Sequence, residues 1–279
     1  DIANARTLLH EAIPITGTIV SGTYTADGNI KTFAHGMFEA VYDYPYLSSS
    51  ANHIFDISAG YSALSTYSAA YAASASQAKK INIYNQHAQV LFGYDVTGSI
   101  QEFDQDGDIN AGGTKMRECF FLNFSRLLAK DEVKKDSFRL EWFDDNDDQH
   151  GRAGTKTIGD YGATTSYKIN SPAGEYGLLY TSSAAQTASN NVVGHIYYQA
   201  GIVVLSANIV TSRFPNAVAG GAYNVDSGSN VHQAFTGSTI TELANGFRFA
   251  LDDVQFNNTT ELNSTIYFCR AHTQDYNYS

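Results

Sequence analysis

The residues of this sequence that are best suited to chemistry are carboxylates, and they cluster in "FDQDGDINAGG" and "FDDNDDQHGR". Calcium loops of the EF-hand type take oxygen ligands from positions 1, 3 and 5, a glycine at 6 and a bidentate Glu at 12. In the first cluster Asp104, Asp106 and Asp108 have the 1-3-5 spacing. Gly107, however, falls at position 4, and Lys115 takes position 12. This cluster is therefore a calcium candidate that departs from the EF-hand pattern.

The second cluster has the same spacing and a similar departure. Asp144, Asn146 and Asp148 stand at positions 1, 3 and 5, but Gln149 and Thr155 occupy the glycine and glutamate positions. Asp and Asn also favour turns, where carboxylates of like charge stay in water. We predict that both clusters are solvated hairpin tips, and an irregular calcium site remains the alternative for each.

The other candidates for chemistry have little local support. The eight histidines never stand in an HxH or HExxH arrangement, so no zinc motif is present. His195 lies in a run of aromatic and β-branched residues, which indicates packing rather than catalysis. The chain has no GxSxG motif, P-loop or dinucleotide fingerprint. The sequence thus predicts no catalytic residues, no cofactor and no enzyme, although acids and bases far apart in sequence could still meet.

Charge and hydropathy argue against two classes of partner. The formal net charge is -11, and acids interrupt the basic residues even in their densest stretch, "KDEVKK". Binding to a phosphate backbone requires clustered cations, so we expect no nucleic-acid partner. No apolar run approaches the roughly 20 residues that span a bilayer, so we expect no membrane partner.

Cys119 and Cys269 are the two cysteines, and each lies in an apolar segment, "RECFFLNF" and "TIYFCRAH". Free cysteine is among the most buried residue types. We therefore predict two buried free thiols. A disulfide would require the two segments to lie side by side in an oxidising compartment.

Most of the chain is predicted to form β-strands. β-branched and aromatic runs bounded by Gly, Asn and Ser predict a mainly β fold, sandwich-like or mixed α+β. The predicted strands include "HIFDISAGYS", "KMRECFFLNF", "SFRLEWF", "EYGLLYTSS", "VVGHIYYQAGIVVLSAN", "FRFALDDVQFNN" and "STIYFCRAH". A glycine inside one of these runs, in "QAGIVV", indicates a bulge or the close approach of another backbone.

One substantial helix is predicted near residues 78–92, with Gly93 as its stop. Its apolar residues recur every three or four positions and would form one buried face: Ile81, Tyr84, Ala88 and Leu91. A second, short helix is predicted at residues 238–246, with a Ser/Thr start and Gly246 after its last turn.

These elements divide the chain into four segments. Residues 1–50 form a β and irregular segment, and residues 51–143 form a β part that carries the helix. Residues 144–166 are predicted to be an acidic, glycine-rich loop. Residues 167–279 form a second β part, which could belong to one domain with the first.

The two ends of the chain are predicted to be contact surfaces. The N-terminal segment contains Ile2, Leu8 and Leu9, too few apolar residues to fold alone, and the C-terminal tail carries Tyr276 and Tyr278. Tyrosine supplies a large amphipathic contact area at low entropic cost. We expect both ends to touch another segment or subunit. The strand predicted at residues 264–271 should be central in its sheet, or an edge covered by a neighbouring chain.

Six blocks of the sequence resemble, in the same order, blocks that recur in virion structural proteins of large tailed phages. They run from residue 51 to the end: "ANHIFDISAGYS", "AKKINIYNQHAQVLFGYD", "FFLNFSRLLAKDEVKKDSFRLEW", "NSPAGEYGLLY", "GHIYYQAGIVVL" and "FNNTTELNSTIYFCRAHTQDYNYS". The family is found notably in contractile-tailed phages of cyanobacteria and other marine bacteria.

The resemblance implies a structural subunit of a bacteriophage particle without an active site, and a tail or baseplate position is favoured. Its partners would be other virion proteins and copies of itself, and its location would be the virion, after assembly in the host cytoplasm. The alternatives are a neck or head decoration protein, or a tail module that binds or degrades glycans. A glycan-degrading module would need two carboxylates, for example Asp106 and Asp147.

Overall fold

The computed structural model describes residues 5–14, 27–66, 74–109, 112–145, 153–187, 191–209 and 235–264, with Tyr267, Cys269 and Arg270. Within these ranges the chain forms fifteen strands, thirteen of which join one sheet, and four α-helices lie wholly inside the described residues. The prediction of a mainly β fold with one substantial helix is confirmed. None of the helices described is long and apolar enough to cross a bilayer.

The strands are β1 (Ala5–Pro14), β2 (Ile30–Thr32), β3 (Glu39–Tyr42), β4 (His53–Tyr61), β5 (Phe103–Asp104), β6 (Lys115–Met116), β7 (Glu118–Phe124), β8 (Glu132–Val133), β9 (Arg139–Asp145), β10 (Ala153–Gly159), β11 (Lys168–Ser171), β12 (Gly174–Tyr180), β13 (Val192–Tyr197), β14 (Ile202–Ser206) and β15 (Leu251–Ser264). The helices are α1 (Ala75–Leu91), α2 (Arg126–Ala129), α3 (Ala163–Ser166) and α4 (Ile240–Ala250). Short 3-10 turns occur at Asp27–Asn29, Ser183–Thr187 and Ala207–Ile209.

The large sheet has the order β1-β15-β9-β10-β12-β13-β14-β7-β4-β3-β2, with β11 beside β12 and β8 beside β15. Its neighbouring strands are antiparallel. β14 pairs with β7, and β15 pairs with β9, so strands from residues 51–143 and from residues 167–279 alternate in one sheet. β10 lies inside residues 144–166, and the loop predicted there is therefore too long.

The core lies on both faces of β7. Phe120, Leu122 and Phe124 belong to one apolar cluster, whereas Cys119 and Phe121 belong to a second one, as the period-two alternation of a strand requires. The first cluster also contains residues of β9, β15 and α4. The rings of Phe124 and Phe256, from β7 and β15, are 5.1 Å apart. Because β15 lies far from β7 in the strand order, the sheet coils back over itself in a sandwich-like way.

Helix α1 covers the second cluster and begins three residues before the predicted start. The Ser74 side chain accepts a hydrogen bond from the Gln77 backbone, and the Gln77 side chain accepts one from the Ser74 backbone. This capping box fixes the helix start. The predicted face is confirmed at Tyr84, Ala88 and Leu91, which are buried. Ile81 is half-buried, however, and Lys80 and Ile83 occupy buried positions that the pattern did not include.

Helix α4 is longer than predicted. It begins after a capping box of Thr239 and Glu242, continues through Gly246 and ends at Ala250. The prediction that Gly246 stops the helix and that "FRFA" is extended is wrong. Phe247 packs against Phe120 with ring centroids 4.8 Å apart. Burial of this helical face outweighs the roughly 1 kcal/mol that glycine costs inside a helix.

The segment predicted as one strand from residue 192 to 208 is a hairpin of β13 and β14. Gly201 lies in its turn with φ 65°, a conformation that favours glycine. A Cβ atom at Gly201 would lie 2.9 Å from the Ala129 Cβ. The glycine therefore marks a turn with a close approach, rather than a mid-strand bulge.

The ends of the chain are only partly described. β1 pairs along its whole length with β15, so Leu8 and Leu9 lie on a strand held by this chain itself. Tyr267, Cys269 and Arg270 are not in a strand, contrary to the prediction for residues 264–271. Cys119 is buried as predicted, but the prediction of burial is wrong for Cys269, which is exposed. Ile2, Tyr276 and Tyr278 lie outside the described residues.

Candidate functional site

The first acidic cluster forms the connection of a short hairpin. β5 and β6 pair with Phe103 opposite Met116 and Asp104 opposite Lys115. Phe103 and Met116 are buried in the apolar cluster beneath α1. Because side chains alternate along a strand, burial of Phe103 places Asp104 at the boundary between this core and the acidic loop.

The loop is held by groups from the neighbouring strands. The Gly107 carbonyl accepts hydrogen bonds from the Tyr176 hydroxyl at 3.1 Å and from Asn170 Nδ2 at 2.9 Å. Gly107 has φ 68°, and a Cβ atom there would lie 2.8 Å from the Tyr176 hydroxyl. The Gln105 side chain donates to the Val192 carbonyl at 2.7 Å. These contacts fix the backbone between the aspartates.

The three aspartates converge although their exposure differs. One carboxylate oxygen of each of Asp104, Asp106 and Asp108 lies within 4.8 Å of the others. Asp108 is exposed, Asp106 is half-buried and Asp104 is buried. The predicted solvated hairpin tip is therefore correct for Asp108 and wrong for Asp104. Like charges held this close repel one another unless a proton or a cation compensates them.

Lys115 supplies part of that compensation. Its Nζ lies 3.0 Å from Asp104 Oδ2, and its side chain is 17% exposed. Among the described residues, no donor meets the hydrogen-bond geometry at either oxygen of Asp104, and the contact with Lys115 is an ion pair. Burial raises the pKa of Asp104, and Lys115 opposes that increase. Lys115, which occupies the position of the EF-hand glutamate, is thus the counter-ion of Asp104, which occupies position 1.

His195 lies directly behind the loop. It is buried, its Nε2 lies 3.3 Å from the Gln105 carbonyl, and its ring centroid is 5.3 Å from that of Tyr176. Burial lowers the pKa of His195 to about 4, so the imidazole is neutral at pH 7. The prediction that His195 is a packed residue is confirmed.

An open depression adjoins the loop at Gln105, and none of the described residues that line it is ionisable. Its lining residues are mostly amides and hydroxyls: Gln105, Thr181, Asn191, Val192, Val193, Ser206 and Asn208. These described side chains offer hydrogen bonds to a polar ligand.

The second acidic cluster is largely untested. Asp144 lies in β9, whereas Asn146 and Asp148, like Asp147, lie outside the described residues. Its calcium alternative and the proposed carboxylate pair of Asp106 and Asp147 therefore remain predictions.

The sequence patterns missed several buried ionisable residues, among them Asp160 and Lys80. Asp160 accepts hydrogen bonds from the Tyr198 hydroxyl at 2.9 Å and from Arg139 Nη1 at 3.1 Å. Lys80 donates to the Phe235 carbonyl at 2.7 Å. Asp160 lies in the short stretch "GDYG", and Lys80 follows another lysine, so no local signal indicated burial. Both residues join segments that are distant in the sequence.

No protein-family model matches this chain, and neither a curated protein nor a solved structure matches it. Its function has to be inferred from the geometry of the described residues and from the sequence. The described geometry offers a preorganised set of carboxylate oxygens and a long open sheet edge.

Proposed function

We propose that this protein is a structural subunit of a bacteriophage particle, associated with the tail or baseplate, that acts through protein–protein contacts. The structural observation that supports action through protein–protein contacts is a long strand at the edge of the sheet. β1 has ten residues, pairs with β15 on one side and has no second partner strand among the described residues. Such an edge presents unpaired N–H and C=O groups that a neighbouring chain can extend.

The ribbon of β1 and β15 reaches beyond the rest of the sheet. β15 pairs with β9 through residues 251–255, and with β8 at Asn258 and Thr259. The five outermost pairs, from Ala5–Ser264 to Leu9–Thr260, have no third strand beside them in the part of the chain that is described. A two-stranded ribbon is marginally stable in water by itself, so a neighbouring subunit would stabilise this one.

β1 also has few of the devices that protect natural edges. Arg6 and Glu11 are its charged residues, Pro14 is its last residue, and residues 7–10 carry no Asp, Glu, Lys or Arg. Isolated proteins usually protect a long edge with lysine, proline or a bulge within the strand. This composition favours an edge that is covered in an assembly.

Exposed apolar side chains support the same proposal. Tyr44, Tyr46 and Leu47 are neighbours in one loop, and Leu47 is 86% exposed. Exposed hydrophobic side chains are common singly, but a group of them favours a contact surface. In the proposed role the partners are other virion proteins and copies of this chain, and neither nucleic acid, membrane, cofactor nor catalysis is involved. The phage assignment itself rests on the order of the resembling sequence blocks.

The proposal is tested on purified particles of the phage that encodes the chain. An antibody raised against the recombinant chain should decorate the tail or baseplate in electron micrographs, and quantitative mass spectrometry should find several copies per particle. Antibody labelling at the neck or head would support a structural role and assign the protein to that part of the particle instead. A chain abundant in infected cells and missing from purified particles would overturn the proposal.

A glycan-binding tail module is the second candidate, and an aromatic cluster favours it. Phe33, His35 and Phe38 have ring centroids 4.9–5.2 Å apart, and Lys31 Nζ lies 4.8 Å from the Phe33 centroid. His35 is exposed and the two phenylalanines are half-buried. Glycan-array binding should be lost in Phe33→Ala and kept in Tyr44→Ala if this candidate is correct. An array without bound glycans would reject it.

A further inference from the structure

The β5–β6 hairpin contains a buried carboxylate oxygen whose partner is missing. The side chain of Asp104 is 1% exposed, and no described residue donates a hydrogen bond to its Oδ1. Oδ2 is the oxygen that Lys115 approaches at 3.0 Å. Buried carboxylate oxygens are almost always hydrogen-bonded to protein or water or bound to a cation, so Oδ1 of Asp104 is placed to accept a water molecule or a cation.

The neighbours of Asp104 identify the chemistry of that ligand. Asp106 and Asp108 each place a carboxylate oxygen within 4.8 Å of one oxygen of Asp104. When ionised, the three carboxylates carry three negative charges, and Lys115 places one positive charge beside Asp104. A divalent cation would offset the repulsion among the three carboxylates. A set of oxygens without sulfur or imidazole suits a hard cation.

The geometry of the loop favours Ca²⁺ over Mg²⁺. Ca²⁺ accepts an irregular shell of six to eight oxygens and includes backbone carbonyls and water, whereas Mg²⁺ requires near-ideal octahedral geometry and gives up its waters reluctantly. The three carboxylates lie close together without the EF-hand spacing of glycine and glutamate. The loop is already held by the contacts of Gly107 and Gln105, so little ordering is left for the cation to induce.

We propose that Asp104, Asp106 and Asp108 form a Ca²⁺ site, and that Lys115 is an internal counter-ion that partly neutralises Asp104 when no cation is bound. Ca²⁺ and the Lys115 ammonium compete for Asp104. This competition makes the site weak, with a Kd of about 0.1 to 1 mM, the range of extracellular calcium modules. The inference does not depend on a phage role.

Terbium luminescence measures this site directly on the full chain. Tb³⁺ is a calcium probe that tyrosine sensitises at short range, and the Tyr176 hydroxyl lies 3.1 Å from the Gly107 carbonyl in the same loop. After removal of cations with a chelator, the chain should show saturable Tb³⁺ emission. Ca²⁺ should displace the probe, and Mg²⁺ at equal concentration should not. Isothermal titration with Ca²⁺ alone supplies the affinity.

Four variants separate the site from general electrostatic attraction. Asp106→Asn and Asp108→Asn should each weaken Ca²⁺ binding at least tenfold. Asp95→Asn is the matched control, because it removes one carboxylate from another turn, where Asp95 Oδ1 accepts from Thr97 and Ser99. It should leave the affinity unchanged. Lys115→Gln should tighten Ca²⁺ binding about tenfold, because the competing ammonium is gone.

Asp108 is exposed, and circular dichroism of Asp108→Asn should match that of the unchanged chain. Loss of binding in that variant is then a loss of a ligand rather than of the fold. The proposal is overturned if the unchanged chain shows no saturable Tb³⁺ or Ca²⁺ binding, or if binding survives in both aspartate variants. Displacement of the probe by Mg²⁺ as well as by Ca²⁺ would overturn the choice of calcium. Unchanged affinity in Lys115→Gln would overturn the counter-ion role.

Discussion

Arg139 and Asp160 form an ion pair that joins the start of β9 to the residue after β10, with Arg139 Nη1 3.1 Å from Asp160 Oδ1. Asp160 is fully buried and also accepts from the Tyr198 hydroxyl and from the backbone of Asp136 and Phe138. One carboxylate therefore connects β9, β10 and the end of β13. Removal of one partner of a buried pair leaves the other uncompensated, which is costly.

This network predicts a pH dependence of stability. Burial raises the pKa of Asp160 from 3.8 to about 6, so the folded chain binds the proton more tightly than the unfolded chain. Protonated Asp160 therefore contributes up to about 3 kcal/mol to the free energy of unfolding. This contribution is fully present below pH 4 and is lost as the pH rises through 6. Between pH 4 and 7 the free energy of unfolding, measured with urea, should decrease less in Asp160→Asn than in the unchanged chain. An identical slope in both would contradict the prediction.

For Lys80 we predict that the free energy of unfolding rises, rather than falls, with pH in the alkaline range. Burial lowers the pKa of Lys80 to about 8, so the folded chain loses this proton at lower pH than the unfolded chain does. Stability should rise by about 2 kcal/mol between pH 8 and 10, because the cost of burying the charge disappears. Lys80→Met should remove this rise, whereas Lys79→Met should keep it, since Lys79 is exposed. Unfolding free energies at the two pH values measure the difference.

The buried face of α1 is tested by two substitutions on the same helix. Ala88 is fully buried, and Val90 is 61% exposed. Ala88→Asp should lower the free energy of unfolding by about 3 to 5 kcal/mol, because it places an unpaired charge in the core. Val90→Asp should change it by about 0.5 kcal/mol or less. Denaturant titration measures both, and equal effects would mean that the helix face is assigned incorrectly.

Gly60 sets the distance between β4 and α1. A Cβ atom there would lie 2.5 Å from the Lys80 carbonyl oxygen and 2.9 Å from the Tyr84 backbone nitrogen. Gly60→Ala must therefore move the helix, at a cost of about 1 to 3 kcal/mol for overpacking. Gly112→Ala, where a Cβ would meet nothing within 4 Å, is the control. If the thermal unfolding midpoint is unchanged in both variants, α1 does not lie this close to β4.

The proposed assembly edge is tested by two adjacent proline substitutions in β1. Along an edge strand the N–H groups of successive residues point alternately toward the partner strand and away from it. Of Leu8→Pro and Leu9→Pro, one should lower the midpoint of thermal unfolding because it removes a hydrogen bond to β15. The other should leave the midpoint nearly unchanged and reduce incorporation into particles. If the variant with the unchanged midpoint assembles normally, the edge is not a contact.

Local patterns were enough to predict much of the framework. The apolar spacing of Tyr84, Ala88 and Leu91 defines one helix face whatever surrounds it, because 3.6 residues per turn is a property of the helix itself. The β-branched and aromatic runs at β4, β7 and β12 likewise indicated strands. The turn at Gly93 could be predicted, because its positive φ is one that glycine adopts without a steric cost.

Only the tertiary structure decided which polar residues are buried and which acids meet. Asp104 is buried because Phe103 and Met116 anchor its hairpin under α1, and Lys115 reaches it because the register places the two residues opposite one another. Lys80 is buried because Gly60 lets the helix approach β4. Helix α4 passes through Gly246 because Phe247 has Phe120 to pack against. Each outcome depends on a contact between residues far apart in the chain, and a pattern over a few neighbouring residues carries no information about such a contact.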